Sequence, residues 1–99
     1  MVGSMDELQA RVQQKLYRMQ DLRDGLAAVR GRETSEDGVV TVEVDGNGAL
    51  KDLAFSSGIS RLTPDELERI VVQTAAAAAR VAFEQRAELV NEYTAELAL

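Results

Sequence analysis

The sequence predicts a small α+β protein made of a long N-terminal helix, a short three-stranded antiparallel β-meander and a long C-terminal helix. Apolar residues recur at helical spacing near the N-terminus, β-branched residues alternate in the middle, and an uninterrupted Ala-rich segment fills the C-terminal third. Ninety-nine residues suffice for one domain, which we expect to span residues 1–99. Since Met5 can also serve as a start, residues 1–4 need not be native.

The N-terminal helix is predicted over residues 5–30. Its apolar residues are separated by three or four positions: Met5, Leu8, Val12, Leu16, Met19, Leu22, Leu26 and Val29. Ser4 or Asp6 can cap its start, and Glu7 stands where a capping box with Ser4 needs it. Gly31 is the expected C′ residue, with Gly25 as a weaker alternative. The helix would be about 40 Å long.

The β-meander is predicted over residues 31–55. Residues 39–44 alternate, so that Val40, Val42 and Val44 share one face of a strand. Residues 45–48, Asp-Gly-Asn-Gly, tolerate positive φ and predict a hairpin turn.

Two further strands complete the predicted meander. The return strand covers residues 49–55, with Leu53 and Phe55 on one face and Leu50 on the other. Residues 32–35 predict a first, more polar strand that suits a sheet edge.

The C-terminal helix is predicted over residues 63–98, starting with Thr63 as N-cap, Pro64 and Glu66. It would span about 54 Å, whereas a compact domain of this size has a radius of gyration of about 13 Å. The helix must therefore kink or extend beyond its own domain. One apolar stripe can cover the sheet: Leu67, Ile70, Val71, Thr74, Ala78, Val81 and Ala82.

Further apolar residues lie on another face of this helix and predict a homodimer interface: Val72, Ala76, Ala79, Phe83 and Val90. A second copy is the simplest cover for them. The run Ala75–Ala79 allows close helix approach, but it can equally serve only to favour helix formation.

The composition argues against catalysis and against a bound metal or cofactor. The chain has no His, Cys or Trp, and it contains no P-loop, GxGxxG, HExxH or nucleophile elbow. Glu84, Glu88, Glu92 and Glu96 form a helical row that we interpret as a solvated face, or as the partner of a basic stripe, rather than as a cation site. No segment predicts a membrane span, and the lack of Cys suits the cytoplasm.

The charge distribution leaves two interpretations open for one basic stripe. The net charge is −6, but residues 1–30 carry five basic and four acidic residues. Arg11, Lys15 and Arg18 fall on one side of the first helix, where they can follow a phosphate backbone. Alternatively they flank a helical seam and pair with carboxylates, and the acidic composition favours this second interpretation.

The order and spacing of these elements resemble the YbaB/EbfC family of bacterial nucleoid-associated proteins. The similarity is carried by residues 38–46, residues 50–55, the long Ala-rich helix, and the Gln- and Met-rich opening from Leu8 to Leu22. It covers residues 5–98. It implies a tweezer-like homodimer that binds DNA with little sequence preference and is located in the nucleoid.

Two hypotheses follow for function. In the first, the protein binds duplex DNA through backbone phosphates with Arg11, Lys15 and Arg18, and with Arg23, Arg30 and Arg32 as weaker candidates. In the second, the acidic, partly apolar C-terminal helix docks a partner protein, and DNA binding is absent.

Overall fold

The computed structural model describes residues 4–97 and shows two long helices joined through a three-stranded sheet. The elements in chain order are α1 (Met5–Ala28), β1 (Arg30–Thr34), β2 (Val40–Asp45), β3 (Leu50–Phe55), a 3₁₀ helix (Ser57–Arg61) and α2 (Pro64–Leu97). The predicted α+β class is confirmed. The expected end of the second helix at Ala98 lies outside the described residues.

The sheet is antiparallel, with β2 between β1 and β3. Val40, Val42 and Val44 are buried on one face of β2, as their alternation predicts, and they pack against α2. The polar strand β1 lies at an edge, as expected. Helix α2 covers β1 and β2, and the buried core consists of Val29, Val39, Val40, Val42, Val44, Ala78 and Ala82.

Helix α2 begins with the predicted capping box. The Thr63 backbone N–H donates to Glu66 Oε1 at 3.2 Å, and the Glu66 backbone N–H donates to Thr63 Oγ1 at 3.2 Å. The predicted apolar stripe of the helix packs on the sheet, and its residues Thr74, Ala78 and Ala82 are buried.

Helix α2 extends well beyond the sheet. The described residues measure 71 × 18 × 15 Å, and their radius of gyration is 20.4 Å. Beyond the sheet α2 runs antiparallel to α1, because Gly25 faces Leu89 and, further from the sheet, Arg18 in the middle of α1 contacts Glu96 near the end of α2. We call α1 together with residues 83–97 of α2 the helical arm.

Helix α1 ends two residues earlier than the sequence predicts. It ends at Ala28, and Val29 leaves the helix to join the buried core. Gly31 is therefore not a C′ residue but a buried position of β1, paired with Val44. Strand pairing and burial of Val29 outweigh the local helical pattern here.

Leu50 lies on a different face of β3 from the one expected. The register pairs Asp52 with Glu43 and then Leu50 with Val44, which leaves Lys51 as an extra residue at a β-bulge. Cross-strand partners share a face, so Leu50 points to the same side as Leu53 and Phe55. The alternation expected for a regular strand is wrong at this bulge.

Candidate DNA-binding and dimerisation surfaces

The basic stripe of α1 lies on an exposed stretch of helix. Ser4 caps α1 by accepting the Glu7 backbone N–H on its Oγ at 3.3 Å, and residues 5–17 are all exposed. Between Glu7 and Asp21 the helix carries three cations and no carboxylate. This gives a positive segment within a protein whose net charge is −6.

The three cations of this stripe differ in their partners. Arg18 forms an ion pair with Glu96 and so links α1 to the end of α2. Arg11 and Lys15 have no ion pair or hydrogen bond within residues 4–97. The interpretation as a helical seam therefore applies to Arg18, whereas Arg11 and Lys15 have no carboxylate within ion-pairing distance in residues 4–97.

Arg23 and Arg32 are held only weakly by neighbouring carboxylates. Arg23 Nη2 lies 3.4 Å from Oδ1 of Asp24, and Arg32 Nη1 lies 3.6 Å from Oε1 of its cross-strand partner Glu43. Such exposed pairs contribute at most about 1 kcal/mol. Little free energy would therefore be lost if either guanidinium left its carboxylate to bind a phosphate.

Arg30 lies apart from the stripe, at the base of the helical arm. It lines a cavity together with Lys51 of β3 and Arg86 of α2. Lys51 and Arg86 carry no signal of a site in the sequence, since neither belongs to a local cluster of positive charge. Only the fold brings these three cations together.

An apolar surface continues from the core past the edge of the sheet. Leu50, Leu53 and Phe55 of β3 share the face of the buried β2 valines, yet all three are exposed, Phe55 to 45%. Helix α2 does not cover them. The hydrophobic core is therefore open along β3.

The three largest of the predicted dimer-interface residues of α2 are also exposed. Val72 is 62% exposed, Phe83 is 47% exposed and Val90 is also exposed. A β-carbon on Gly48, in the β2–β3 turn, would lie 3.1 Å from the Phe83 ring, so Phe83 sits beside that turn. A shallow groove along this side of α2 is lined by Ala76, Ala79, Arg80, Phe83, Glu84 and Ala87.

We define the apolar face as the exposed residues of β3 and this α2 stripe together: Leu50, Leu53, Phe55, Val72, Ala76, Ala79, Phe83 and Val90. Its residues come from β3, which pairs with β2, and from α2, which packs on β1 and β2. Exposed apolar residues in such numbers are typical of an interaction surface.

Neither a metal site nor a membrane span is found in the described part of the chain. Residues 4–97 hold no group of three His, Cys, Asp or Glu side chains that could bind a metal ion. Within the same range, no helix is long and apolar enough to cross a membrane. In the acidic row of α2, Glu96 instead pairs with Arg18.

Comparison with known proteins agrees with this architecture. The crystal structure of an uncharacterized protein from Helicobacter pylori is similar, with a TM-score of 0.65 and 16% sequence identity over 91% of this chain and 96% of that one. This likeness concerns the fold. No curated protein matches the sequence. Residues 1–97 match the YbaB/EbfC DNA-binding family, and the chain therefore belongs to that family.

Proposed function

We propose that the protein is a cytoplasmic, nucleoid-associated homodimer that binds duplex DNA mainly through backbone phosphates, with little sequence preference. Membership of a DNA-binding family supports DNA as the ligand. The observation that carries the proposed mode is the availability of Arg11 and Lys15, two exposed cations without a carboxylate partner in the described chain, four positions apart on α1.

The chemistry of α1 favours phosphates over base edges. Its exposed side is built from long cationic side chains beside half-exposed apolar ones such as Leu8 and Val12. Cations of this kind follow the regular charge of a backbone but read no sequence. Each phosphate that a Lys or Arg neutralises releases counterions, so binding should weaken steeply as salt rises.

Dimerisation would bring two such helices to one ligand. The apolar face is exposed in a single copy, and a second copy would cover it with an equally apolar surface. Contact between the two copies through Leu53, Phe55 and Phe83 would bury apolar area. Each Å² of apolar area that is buried stabilises the dimer by about 25 cal/mol. Each dimer would then present two sets of Arg11 and Lys15.

The test is a gel-shift series over rising salt with a charge-matched control. We expect the double variant Arg11→Gln, Lys15→Gln to bind duplex DNA more weakly. A plot of the logarithm of the binding constant against the logarithm of the salt concentration should have a slope that is smaller in magnitude than in the wild type. The difference should be about 0.9 for each phosphate that these two side chains neutralise in the wild type. The control, Arg61→Gln with Arg69→Gln, makes the same change in net charge at the other end of the protein from the arm. It should keep both affinity and slope.

The competing hypothesis, a protein-interaction adaptor, makes the opposite prediction in this experiment. If wild-type protein fails to retain DNA even at low salt, the adaptor hypothesis gains. If both double variants lose affinity equally, net charge rather than the α1 stripe governs binding.

A further inference from the structure

The cavity at the base of the helical arm lies where four parts of the chain meet. It is lined by the end of α1, the start of β1, the β2–β3 turn with the bulge of β3, and α2: Leu26, Ala27, Arg30, Asp45, Gly46, Asn47, Lys51 and Arg86. Its volume is about 240 Å³, far above the roughly 30 Å³ of one water molecule in the liquid. It can therefore accept a small ligand.

The lining of this cavity has a positive net charge, whereas the whole protein has a negative one. Three cations, Arg30, Lys51 and Arg86, line it against one carboxylate, Asp45, so the lining carries a net charge of about +2, whereas the chain carries −6. No carboxylate lies within ion-pairing distance of these three cations in the described residues. The site thus holds positive charge that no direct partner neutralises.

Two of the cations also make hydrogen bonds to the chain around the cavity, short ones at Arg30 and long ones at Arg86. Arg30 Nη1 donates to the Val29 carbonyl at 2.7 Å and to the Ala27 carbonyl at 3.2 Å. Arg86 Nη1 donates to the Gly46 carbonyl and to Asn47 Oδ1, both at 3.4 Å. Each guanidinium has five N–H donors and uses one nitrogen in these bonds, so donors remain for a ligand. The 2.7 Å hydrogen bond of Arg30 orients its guanidinium before a ligand arrives, which lowers the entropic cost of binding.

The Asp45 carboxylate forms its hydrogen bonds with the backbone of the β2–β3 turn and not with the cations. Its Oδ1 accepts the backbone N–H groups of Asn47 at 2.9 Å and Ala49 at 3.0 Å. These two hydrogen bonds, with smaller contributions from Lys51 and Arg30, lower the pKa of Asp45. The carboxylate consequently shapes the loop that carries Gly46 and Asn47, and it interacts with Lys51 and Arg30 only at longer range, without a direct ion pair.

Lys51 reaches the cavity because of the bulge in β3. As the extra residue of that bulge, it has no cross-strand partner in the register. β-Bulges re-aim side chains in this way and are common beside binding sites. A regular strand would have placed Lys51 according to the alternation of its neighbours.

From these observations we propose that this cavity is a binding site for a phosphate-type oxyanion, held by Arg30, Lys51 and Arg86. Planar guanidiniums and an ammonium are the groups that recognise such anions most strongly. The anion could be a free phosphate or phosphate monoester, or a phosphate of bound DNA. The second source rests on the proposed function and would extend the contact from Lys15 to the end of α1, about 20 Å along the helix axis.

The test uses inorganic phosphate and the full-length protein. Phosphate is titrated against chloride at constant ionic strength, while amide resonances are followed by NMR. We expect saturable shifts at Gly46, Asn47 and Lys51, and at least a tenfold weaker Kd in Lys51→Gln and in Arg86→Gln. The matched control Arg61→Gln, which also removes one exposed cation, should bind phosphate as the wild type does. The Lys51 side chain makes no hydrogen bond or ion pair within residues 4–97, so Lys51→Gln should stay folded.

Two results would overturn the site: no saturable shift with phosphate in the wild type, or equal Kd values in Lys51→Gln and Arg61→Gln. The same variants in the gel shift identify the source. Weaker DNA binding by Lys51→Gln than by Arg61→Gln assigns the site to a DNA phosphate, and equal DNA binding assigns it to a free anion. Because the phosphate titration contains no DNA, it stands or fails independently of the proposed function.

Discussion

Gly31 of β1 lies against the backbone of α2, and a β-carbon at this position would come within 2.0 Å of the Ala78 carbonyl oxygen and 2.9 Å of the Ala82 β-carbon. The strand and the helix can approach this closely only because residue 31 has no side chain and residues 78 and 82 have small ones. This contact fixes where α2 crosses the sheet.

Gly31→Ala should therefore destabilise the fold severely. Neither the helix backbone nor the strand can move away without disturbing the buried valines, so we expect a loss of about 3 kcal/mol or more in the free energy of unfolding. Urea denaturation followed by circular dichroism measures this loss. A variant as stable as the wild type would show that α2 can shift on the sheet.

Gly25→Ala should have the opposite effect. Gly25 is within α1, and a β-carbon there would lie 3.5 Å from Leu89 Cδ1, an ordinary van der Waals distance. Alanine is favoured over glycine in a helix by up to about 1 kcal/mol. We expect a gain of that order in the same urea experiment. A loss of stability would mean that the two helices of the arm approach more closely than this geometry allows.

Phe83→Asp should separate the proposed dimer. An aspartate in the middle of the apolar face would bury a charge without a partner, which strongly disfavours association. Sedimentation at micromolar concentration should change from dimer to monomer. Leu8→Asp is the matched control, because Leu8 and Phe83 are both 47% exposed and Leu8 lies far from the face on α1. If Leu8→Asp dissociates the protein instead, the interface is on α1.

Acidification should lower stability through Asp45. Its pKa is lowered in the folded chain, chiefly by the Ala49 and Asn47 N–H groups. A carboxylate of this kind stabilises the fold above its unfolded pKa, and the contribution is lost as the pH falls through the folded pKa. The free energy of unfolding should thus decrease below about pH 4. Asp45→Asn, which keeps an acceptor oxygen, should be less stable at neutral pH and should lose less on acidification.

The elements of the fold were predictable because their signals are local. The capping box of Thr63 and Glu66 and the alternation of Val40, Val42 and Val44 depend on residues a few positions apart, and both are present in the structure. Because helix rise per residue is constant, the length of α2 predicted either a kink or an extension beyond the sheet, and the structure has the extension.

What the sequence did not predict depends on pairing between distant segments. The end of α1 is determined by burial of Val29 and by strand pairing, and the face of Leu50 by a bulge that depends on the register with Val44. Likewise, the cavity gathers Arg30, Lys51 and Arg86 from three elements. The basic stripe of α1 could be found because helical spacing alone puts Arg11, Lys15 and Arg18 together.

The outer half of α1 also has a consequence for how tightly any ligand is held. Residues 5–17 are exposed on every side, so this stretch depends on its own backbone hydrogen bonds and its Ser4 cap. Short helices without tertiary support fray in water. A ligand that binds this stretch must therefore also stabilise its helical turns. This lowers the affinity, but it lets the N-terminal end of α1 adapt to the shape of the ligand.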